Sequence, residues 1–353
     1  MSTTATDGAS VTSLRALARQ RLTPRRLVVV LAVLVALVAL FSLLALGVGS
    51  EHITPATIVR ATLAELTGKP YGVAPEQQMI VAQIRLPRVL MAIVVGAAFS
   101  VAGAAYQALL RNPLADPGIL GISTGAALGA IAATVFAEAI PISRPLAAFA
   151  GAVVTTAAVY AVGQTRRGSS AERLILAGVI VNAFLSSWVI YLVTASGSRL
   201  RSVFSWLIGD LGGEPGLLPL VATLVAAGAA VIFIYARSLN LMMTGEEESR
   251  ALGVEVERTK IAVYIAASLV TGAAVAAAGV IGFVGLVIPH AIRLAGGSDN
   301  RLVLPGSALA GAAFLLLADT AARTIVAPRE LHIGVITALI GAPVFVYLLR
   351  RTS

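Results

Sequence analysis

Long apolar runs separated by short polar segments account for most of the chain. The first run is unbroken from residue 27 to about residue 48, and as a helix it would cross a bilayer core about 30 Å thick. Eight further runs follow, at residues 89–110, 118–137, 145–163, 174–194, 217–236, 261–290, 302–318 and 333–349. This pattern predicts an all-α, polytopic membrane protein.

The run at residues 261–290 is too long for one crossing. As a single helix it would extend about 45 Å, against a hydrocarbon core of about 30 Å. Gly279, Gly282 and Gly285, followed by Pro289, are placed to break it. We therefore predict a span that ends near residue 280 and a short returning helix over about 282–292. The total becomes ten transmembrane helices, an even number that leaves both chain ends on one side.

Basic residues are distributed unevenly between the two predicted sides. Residues 1–26 form a polar tail with five arginines, and Arg350 and Arg351 follow the last apolar run. With ten spans, 17 of the 26 Lys and Arg lie on the side of the chain ends. Cytoplasmic loops carry an excess of Lys and Arg, so both termini are predicted to be cytoplasmic. The net charge of +9 then reports topology and needs no nucleic-acid partner.

The composition excludes several classes of protein. Apolar residues make up 58% and charged residues 12% of the chain, against about 25% charged in soluble domains, which excludes an ordinary soluble enzyme. Cysteine is absent and the three histidines lie far apart, at His52, His290 and His332. We therefore predict no metal site, no bound cofactor and no catalytic residues. No GxxxxGK[ST] loop is present, so the chain cannot cradle a nucleotide by that motif.

Two stretches 176 residues apart suggest an internal repeat. Gly96-Ala97-Ala98 in the second span corresponds to Gly272-Ala273-Ala274 in the seventh, and Pro113 and Pro289 keep the same offset. Five crossings lie between them, so the two five-helix halves would be inverted in the membrane. Chance matching between common Gly and Ala residues is the alternative. On either view, these small residues allow helices to approach closely.

The predicted spans lack charged residues at their centres. Glu138 and Asp319 lie only at span ends, whereas proton-driven carriers need intramembrane ionisable groups. The driving energy is therefore expected from a separate ATPase. A secondary carrier with inverted repeats, coupled to sodium through carbonyls and hydroxyls, is the rival hypothesis, and a receptor or structural membrane protein is a third.

Four ordered segments resemble one family of transporters. They are Arg85-Leu86-Pro87-Arg88; Gln107 to Gly121, containing Arg111-Asn112-Pro113-Leu114-Ala115-Asp116-Pro117; Gly282 to His290 with Arg293; and Ala318-Asp319 with Arg323, continuing to Gly341-Ala342-Pro343. From about residue 27 to its end, the chain resembles the permease subunits of binding-protein-dependent ABC importers for iron-siderophores, haem and cobalamin. The resemblance implies a subunit that pairs with a second, identical or related, permease. It also implies two cytoplasmic ABC ATPases that use ATP, and an extracytoplasmic binding protein.

The resemblance also implies functional positions at both ends of the helices. The loop at residues 237–260 matches the family's ATPase-coupling loop. A short helix is predicted from Glu246 to Leu252, and Gly253 is placed to end it. A second short segment is predicted over residues 254–260. The coupling residues are then Glu246, Glu247, Arg250, Ala251, Leu252 and Gly253. Arg85, Arg88 and Arg323 match the arginines that receive glutamates of the binding protein. A solvated loop and interfacial anchoring of helix ends are the respective alternatives.

The translocation path implied by the family follows the fifth and tenth spans. The path residues here are Asn182, Ser186 and Thr337, although hydrogen bonding between helices would explain them equally well. Ser169 and Ser170 occupy roughly the place of the inner gate. Asn112, Asp116 and the prolines beside them are interpreted as a structural turn, and His290 as a capping or interface residue.

The sequence thus predicts a 27–353 permease domain in a bacterial cytoplasmic membrane, in contact with lipid. The predicted cargo is a metal chelate, with a ferric siderophore as the first choice and haem and cobalamin as the alternatives.

Overall fold

A computed structural model describes residues 23–49, 51–69, 71–139, 142–165, 168–327 and 329–352. Most of the predicted basic tail, residues 1–22, lies outside these residues. The helices in chain order are α1 Pro24–Gly47, α2 Pro55–Thr67, α3 Pro75–Leu109, α4 Ile122–Val135, α5 Arg144–Gly163, α6 Ala171–Ala195, α7 Leu200–Leu207, α8 Leu218–Ile234, α9 Ala236–Met242, α10 Glu246–Ala251, α11 Val256–Ala278, α12 Val284–Gly296, α13 Asn300–Thr324 and α14 Ile333–Thr352. Two-residue strands, β1 Gln164–Thr165 and β2 Gly168–Ser169, pair antiparallel between α5 and α6.

Ten of these helices coincide with the ten predicted apolar segments. Seven of them (α1, α3, α5, α6, α8, α11 and α13) are long and apolar enough to cross a membrane, while α4, α12 and the apolar part of α14 are shorter. The prediction of a nearly all-helical, polytopic membrane protein is confirmed. The count of ten crossings, the inverted halves and the side of the termini stay predictions.

The long apolar run at residues 261–290 is broken where its glycines predict. Helix α11 ends at Ala278, and Gly279 has φ +71°, a backbone conformation that favours glycine. The Asp210 backbone N–H, 2.8 Å from the Ala278 carbonyl oxygen, hydrogen-bonds to this helix end. A Cβ on Gly279 would lie 2.2 Å from the Trp206 carbonyl oxygen. The break is therefore enforced both by conformation and by close packing.

Helix α3 lies at the centre of the bundle and is the most buried of the seven long helices. A Cβ on Gly96 would lie 2.4 Å from the Gly311 carbonyl oxygen of α13, and one on Gly103 would lie 2.0 Å from the Gly285 carbonyl oxygen of α12. Both distances are below van der Waals contact, so α3 touches its neighbours backbone to backbone. The small residues of the second span thus do allow close helix approach.

The first part of α3 departs from ordinary α-helical geometry. Residues Ile80–Arg85 form a π-helical stretch between α-helical Pro75–Met79 and Leu86–Leu109. Such stretches are rare and occur often at functional positions. This one ends at Arg85, the first residue of the Arg-Leu-Pro-Arg segment.

The prediction of a separate short segment at residues 254–260 is wrong. The helix that begins at Val256 continues without a break to Ala278, so Lys260 already belongs to long helix α11. An additional short helix, α9, precedes α10 in the same loop. The loop is therefore a compact pair of short helices joined directly to a long one.

Candidate functional site

Four charged residues from two helices form an ion cluster at one end of the bundle, here called the arginine cluster: Arg85, Arg88, Asp319 and Arg323. The carboxylate of Asp319 on α13 accepts hydrogen bonds from Arg88 Nε and Arg323 Nε, both at 3.0 Å. The Asp319 side chain is 2% exposed, and those of Arg88 and Arg323 are 15% and 8% exposed. A buried carboxylate thus neutralises part of a dense positive charge.

Two arginines of the cluster also complete the end of α1. Arg85 donates to the carbonyl oxygens of Leu46 and Glu51, each at 2.6 Å, and Arg323 donates to the Ala45 carbonyl oxygen at 3.0 Å. The last carbonyls of a helix have no partner within that helix, and cations are favourable there. Arg85 is only 5% exposed. Arg85 and Arg323 therefore hold the end of α1 through its carbonyl oxygens, and interfacial anchoring stays the alternative prediction.

Arg88 is the cluster member with an exposed partner. Its Nη1 lies 2.8 Å from Glu330 Oε2, and the Glu330 side chain is 56% exposed. Arg88 also lines a cavity of about 220 Å³ together with Asp210, Glu330 and His332. The structure thus brings all three predicted docking arginines together. Their docking role stays a prediction, for which Arg88 is the best-placed candidate.

The predicted coupling residues lie together on α10 and the turn that follows it. Three glutamates occupy its first turn, where negative charge is favourable. Gly253 has φ +82° and ends the helix as predicted. Leu252 is 64% exposed among charged neighbours, and Arg250 contacts Glu246 at 3.5 Å. A single exposed leucine is common on protein surfaces, and contact with an ATPase stays a prediction.

Helix α10 is held to the bundle by polar contacts that sequence reasoning missed. Ser249, fully buried, donates to the carbonyl oxygens of Leu241 and Gly245. Next to Leu241, Asn240 Nδ2 donates to Asp299 Oδ1 at 2.8 Å. Asp299 lies in the turn between α12 and α13, where it caps α13. Burial disfavours its charge, yet hydrogen bonds from Arg301 and Asn240 outweigh burial and lower its pKa.

The three predicted path residues lie on two helices, Asn182 and Ser186 on α6 and Thr337 on α14. Asn182 Oδ1 accepts a hydrogen bond from Thr124 Oγ1 at 2.5 Å, which joins α6 to α4. Thr337 is fully buried and donates to the Gly334 carbonyl oxygen at 3.1 Å. Ser186 is half-buried on α6. Interhelical hydrogen bonding accounts for Asn182, so the path assignment stays a prediction.

Ser170, one of the two predicted inner-gate residues, lies near the first residue of α10. Ser169 belongs to β2, and Ser170 caps α6 by accepting from the Arg173 backbone N–H at 3.3 Å. Ser170 lines a cavity of about 500 Å³ together with Arg111, Asn112, Glu172 and Glu246. The gate assignment itself stays a prediction. The proximity of Ser170 to Glu246 could not have been inferred from the sequence, in which the two residues are 76 positions apart.

Buried side-chain hydrogen bonds connect α3 to α12, and both partners belong to segments that resemble the transporter family. Arg293 on α12 donates to Gln107 Oε1 and to the Ala104 carbonyl oxygen on α3. Gln107 Nε2 returns hydrogen bonds to the carbonyl oxygens of Gly285 and Leu286, at 3.3 and 3.2 Å. The two motifs therefore hold the short helix α12 in register against the central helix.

Asp116 lies deeper than a surface turn would place it. A Cβ on Gly285 would lie 3.2 Å from Asp116 Oδ2 and 2.8 Å from the Phe99 carbonyl oxygen. Phe99 is more than two helical turns inside the end of α3 at Leu109. The segment after α3 therefore turns back into the bundle before α4 begins.

Within the described ranges, no group of three or more His, Cys, Asp or Glu is arranged to hold a metal ion.

Together, the bundle of apolar helices and the charged assemblies at its ends define a polytopic membrane protein. Residues 35–351 match the FecCD transport family. The chain belongs to that family, and the predicted resemblance to iron-chelate, haem and cobalamin permeases is confirmed.

Several curated relatives match most of the chain. It is 45% identical over 294 residues to the cobalamin import system permease protein BtuC of Halobacterium salinarum, covering 82% of this chain and 78% of the relative. It is 43% identical over 275 residues to the hemin transport system permease protein HmuU of Yersinia pestis, covering 76% and 82%. It is 41% identical over 309 residues to the vitamin B12 import system permease protein BtuC of Salmonella typhi, covering 84% and 93%.

A solved structure shares the fold over nearly the same extent. It is described as an inward-facing conformation of a metal-chelate type ABC transporter, and the chain matches it with a TM-score of 0.79 and 30% identity, covering 91% of this chain and 98% of the other. The three curated relatives are named as permeases of import or transport systems, the solved structure as an ABC transporter, and the chain is a permease of this family.

Proposed function

We propose that this chain is the permease subunit of an ATP-driven importer that carries a metal chelate from an extracytoplasmic binding protein to the cytoplasm. The observation that supports this most strongly is the extent of the family match, which runs from within α1 to within α14. The location proposed is a bacterial cytoplasmic membrane, with both termini inside and ten crossings. In that membrane the chain would pair with a second copy or a related permease.

The ATPase contact is proposed at the exposed surface of α10. Leu252, Ala251 and Arg250 are exposed next to the acidic first turn, and Gly253 lets the chain reverse directly after them. Two cytoplasmic ABC ATPases would hydrolyse ATP and move this surface. The permease itself would supply no nucleotide site.

The binding-protein contact is proposed at the arginine cluster, with Arg88 as the residue that meets a partner carboxylate. Arg85 and Arg323 would support it by fixing α1 and Asp319. Exposed opposite charges steer association and make it salt-dependent. Arg88→Gln should weaken binding of the isolated binding protein to the reconstituted transporter.

Glu330→Gln is the matched variant for that docking test, because it removes the exposed carboxylate that competes for Arg88 and leaves Asp319 in place. It should bind the partner at least as tightly as the unaltered chain. Equal affinities for all three proteins at low salt would count against docking at Arg88.

The cargo is proposed to be a metal chelate, predicted from the sequence as a ferric siderophore. The names of the relatives favour a second candidate class, since two are permeases for cobalamin or vitamin B12 and one for hemin. Cobalamin and haem share a metal held in a tetrapyrrole-type ring. The choice lies between that class and a siderophore.

Reconstitution with the candidate ATPase and binding protein tests the proposal and the cargo together. Liposomes would be supplied with radiolabelled ferric siderophore, haem or cobalamin, with and without internal ATP. ATP-dependent accumulation of one chelate supports the proposal and names the cargo. Accumulation of none of the three, with the binding protein loaded, would refute the metal-chelate assignment.

A further inference from the structure

A buried lysine connects the short helix α10 to the long helix α11. Lys260, in the second turn of α11, is 4% exposed. Its Nζ lies 2.8 Å from Glu246 Oε2 and 3.3 Å from Glu257 Oε1. Burying an ammonium group is unfavourable unless it is paired, and an unpaired buried charge is strongly destabilising. Lys260 therefore holds the Glu246 carboxylate in place. Because Glu246 is the first residue of α10, this ion pair fixes the start of α10 to the start of α11.

The same carboxylate reaches the turn that follows α3. Glu246 Oε1 lies 4.0 Å from Arg111 Nη2. Arg111 has φ +49°, a left-handed conformation that is uncommon for residues other than glycine. Asn112, the next residue, lines the cavity that also contains Ser170 and Glu246. One glutamate thus joins α10, α11 and the turn beside the start of α6.

A second contact holds α10 through Ser249, which lies three positions after Glu246 on the same face of the helix. Ser249 is fully buried and hydrogen-bonded to the carbonyl oxygens of Leu241 and Gly245. Displacement of α10 by a partner at Leu252 must therefore either break these contacts or carry its neighbours along, α11 through Lys260 and α9 through Ser249. Carrying the neighbours along is the less costly of the two, because breaking the contacts removes the shortest ion pair of a buried ammonium group and a hydrogen bond of a buried hydroxyl.

We propose that Lys260 is a positioning residue for transport, which through Glu246 transmits displacement of α10 to helix α11 and to the turn at Arg111. This inference rests on the proposed function, since it needs an ATPase that displaces α10. It adds a specific mechanical link, whose removal should separate ATP hydrolysis from substrate movement.

The test is the amount of substrate moved per ATP hydrolysed by the full reconstituted complex. Lys260→Met keeps side-chain length in an apolar form, so the buried site can still pack, and Lys260→Arg keeps the charge. We expect Lys260→Met to lower substrate moved per ATP by about fivefold or more, with ATP hydrolysis and ATPase co-purification retained, and Lys260→Arg to stay within about twofold.

Glu246→Gln provides a second variant at a less buried position. If the two residues act through each other, Lys260→Met combined with Glu246→Gln should be no worse than Lys260→Met alone. Glu255→Gln is the matched control, because it removes a carboxylate from the same loop but breaks only an exposed pair with Arg258. It should keep normal coupling.

If the Lys260→Met complex moved as much substrate per ATP as the unaltered one, the inference would be overturned. It would also be overturned if the ATPase no longer co-purified with the Lys260→Met permease, because Lys260 would then be needed for ATPase binding. Additive losses in the double variant would overturn the link through Glu246. Absence of ATP-driven uptake by the unaltered chain would overturn the proposed function and this inference with it, so the failures are distinguishable.

Discussion

Asp319→Asn removes the buried negative charge that Arg88 and Arg323 share. In the unaltered chain this carboxylate lies 2.9 Å from Arg88 Nη2 and 3.0 Å from Arg323 Nε, and it is almost fully buried. The substitution keeps the shape of the side chain but leaves two largely buried guanidinium groups beside Arg85, whose charge disfavours theirs. Removing one partner of a buried ion pair costs about 3–5 kcal/mol.

The cost can be measured as a loss of thermal stability. At roughly 2 °C per kcal/mol for a large domain, the apparent melting midpoint should fall by roughly 6–10 °C. The assay heats detergent-solubilised permease and follows the monodisperse fraction by size-exclusion chromatography. Because the isolated subunit is used, effects on partner binding do not enter.

The matched control is Glu138→Gln, which removes a carboxylate paired with Arg199 but 89% exposed. Exposed ion pairs contribute little, so its midpoint should stay within about 2 °C of the unaltered chain. If the melting midpoint of Asp319→Asn were as close to that of the unaltered chain as the control's midpoint is, the arginine cluster would not be a buried, interdependent ion network.

Three further predictions concern packing, pH and coupling. Gly103→Ala should destabilise the bundle by about 1–3 kcal/mol, measured by the same melting assay, because its Cβ would meet the Gly285 carbonyl oxygen at 2.0 Å. The lowered pKa of Asp299, which is paired with Arg301, predicts stability that is present above the usual Asp range and lost as the pH falls through the folded pKa. Asp299→Asn should therefore be less stable at neutral pH and flatten the acid side of a melting-against-pH profile. Leu252→Ser should lower ATP-driven uptake without lowering the melting midpoint, because the leucine is 64% exposed.

Each of these predictions has a contradicting outcome. Gly216→Ala is the control for packing, since a Cβ there has nothing within 4 Å, and equal melting of the two glycine variants would be inconsistent with backbone contact between α3 and α12. A pH profile of Asp299→Asn that is parallel to the unaltered chain would exclude Asp299 as the source of acid sensitivity. Full uptake by Leu252→Ser would remove Leu252 from the coupling surface.

The course of the helices was predictable from the sequence because the bilayer fixes the length of an apolar segment. The break at Gly279 was predictable as well, since a 30-residue apolar run exceeds that length. The extent of α11 was mispredicted because charges at 254–260 resemble a solvated loop. Lys260 is in fact paired inside the structure with Glu246, 14 positions away.

Side-chain burial at the two ends of the bundle could not be predicted from local sequence. Arg85 beside an apolar run is typical of an exposed anchor, yet it satisfies carbonyl oxygens up to 39 positions away. Asp116 between two prolines is typical of a surface turn, yet it lies against Gly285. In each case the decisive partner is distant along the chain, and only the packing of helices brings it near.

The most direct test of the account is the energy source of transport. Purified permease alone, and permease assembled with its ATPase and binding protein, would be placed in liposomes with imposed proton or sodium gradients, and chelate accumulation would be measured with and without ATP. The account predicts accumulation only in the complete assembly with ATP, unchanged when ionophores collapse the gradients. Gradient-driven accumulation by the permease alone would contradict it.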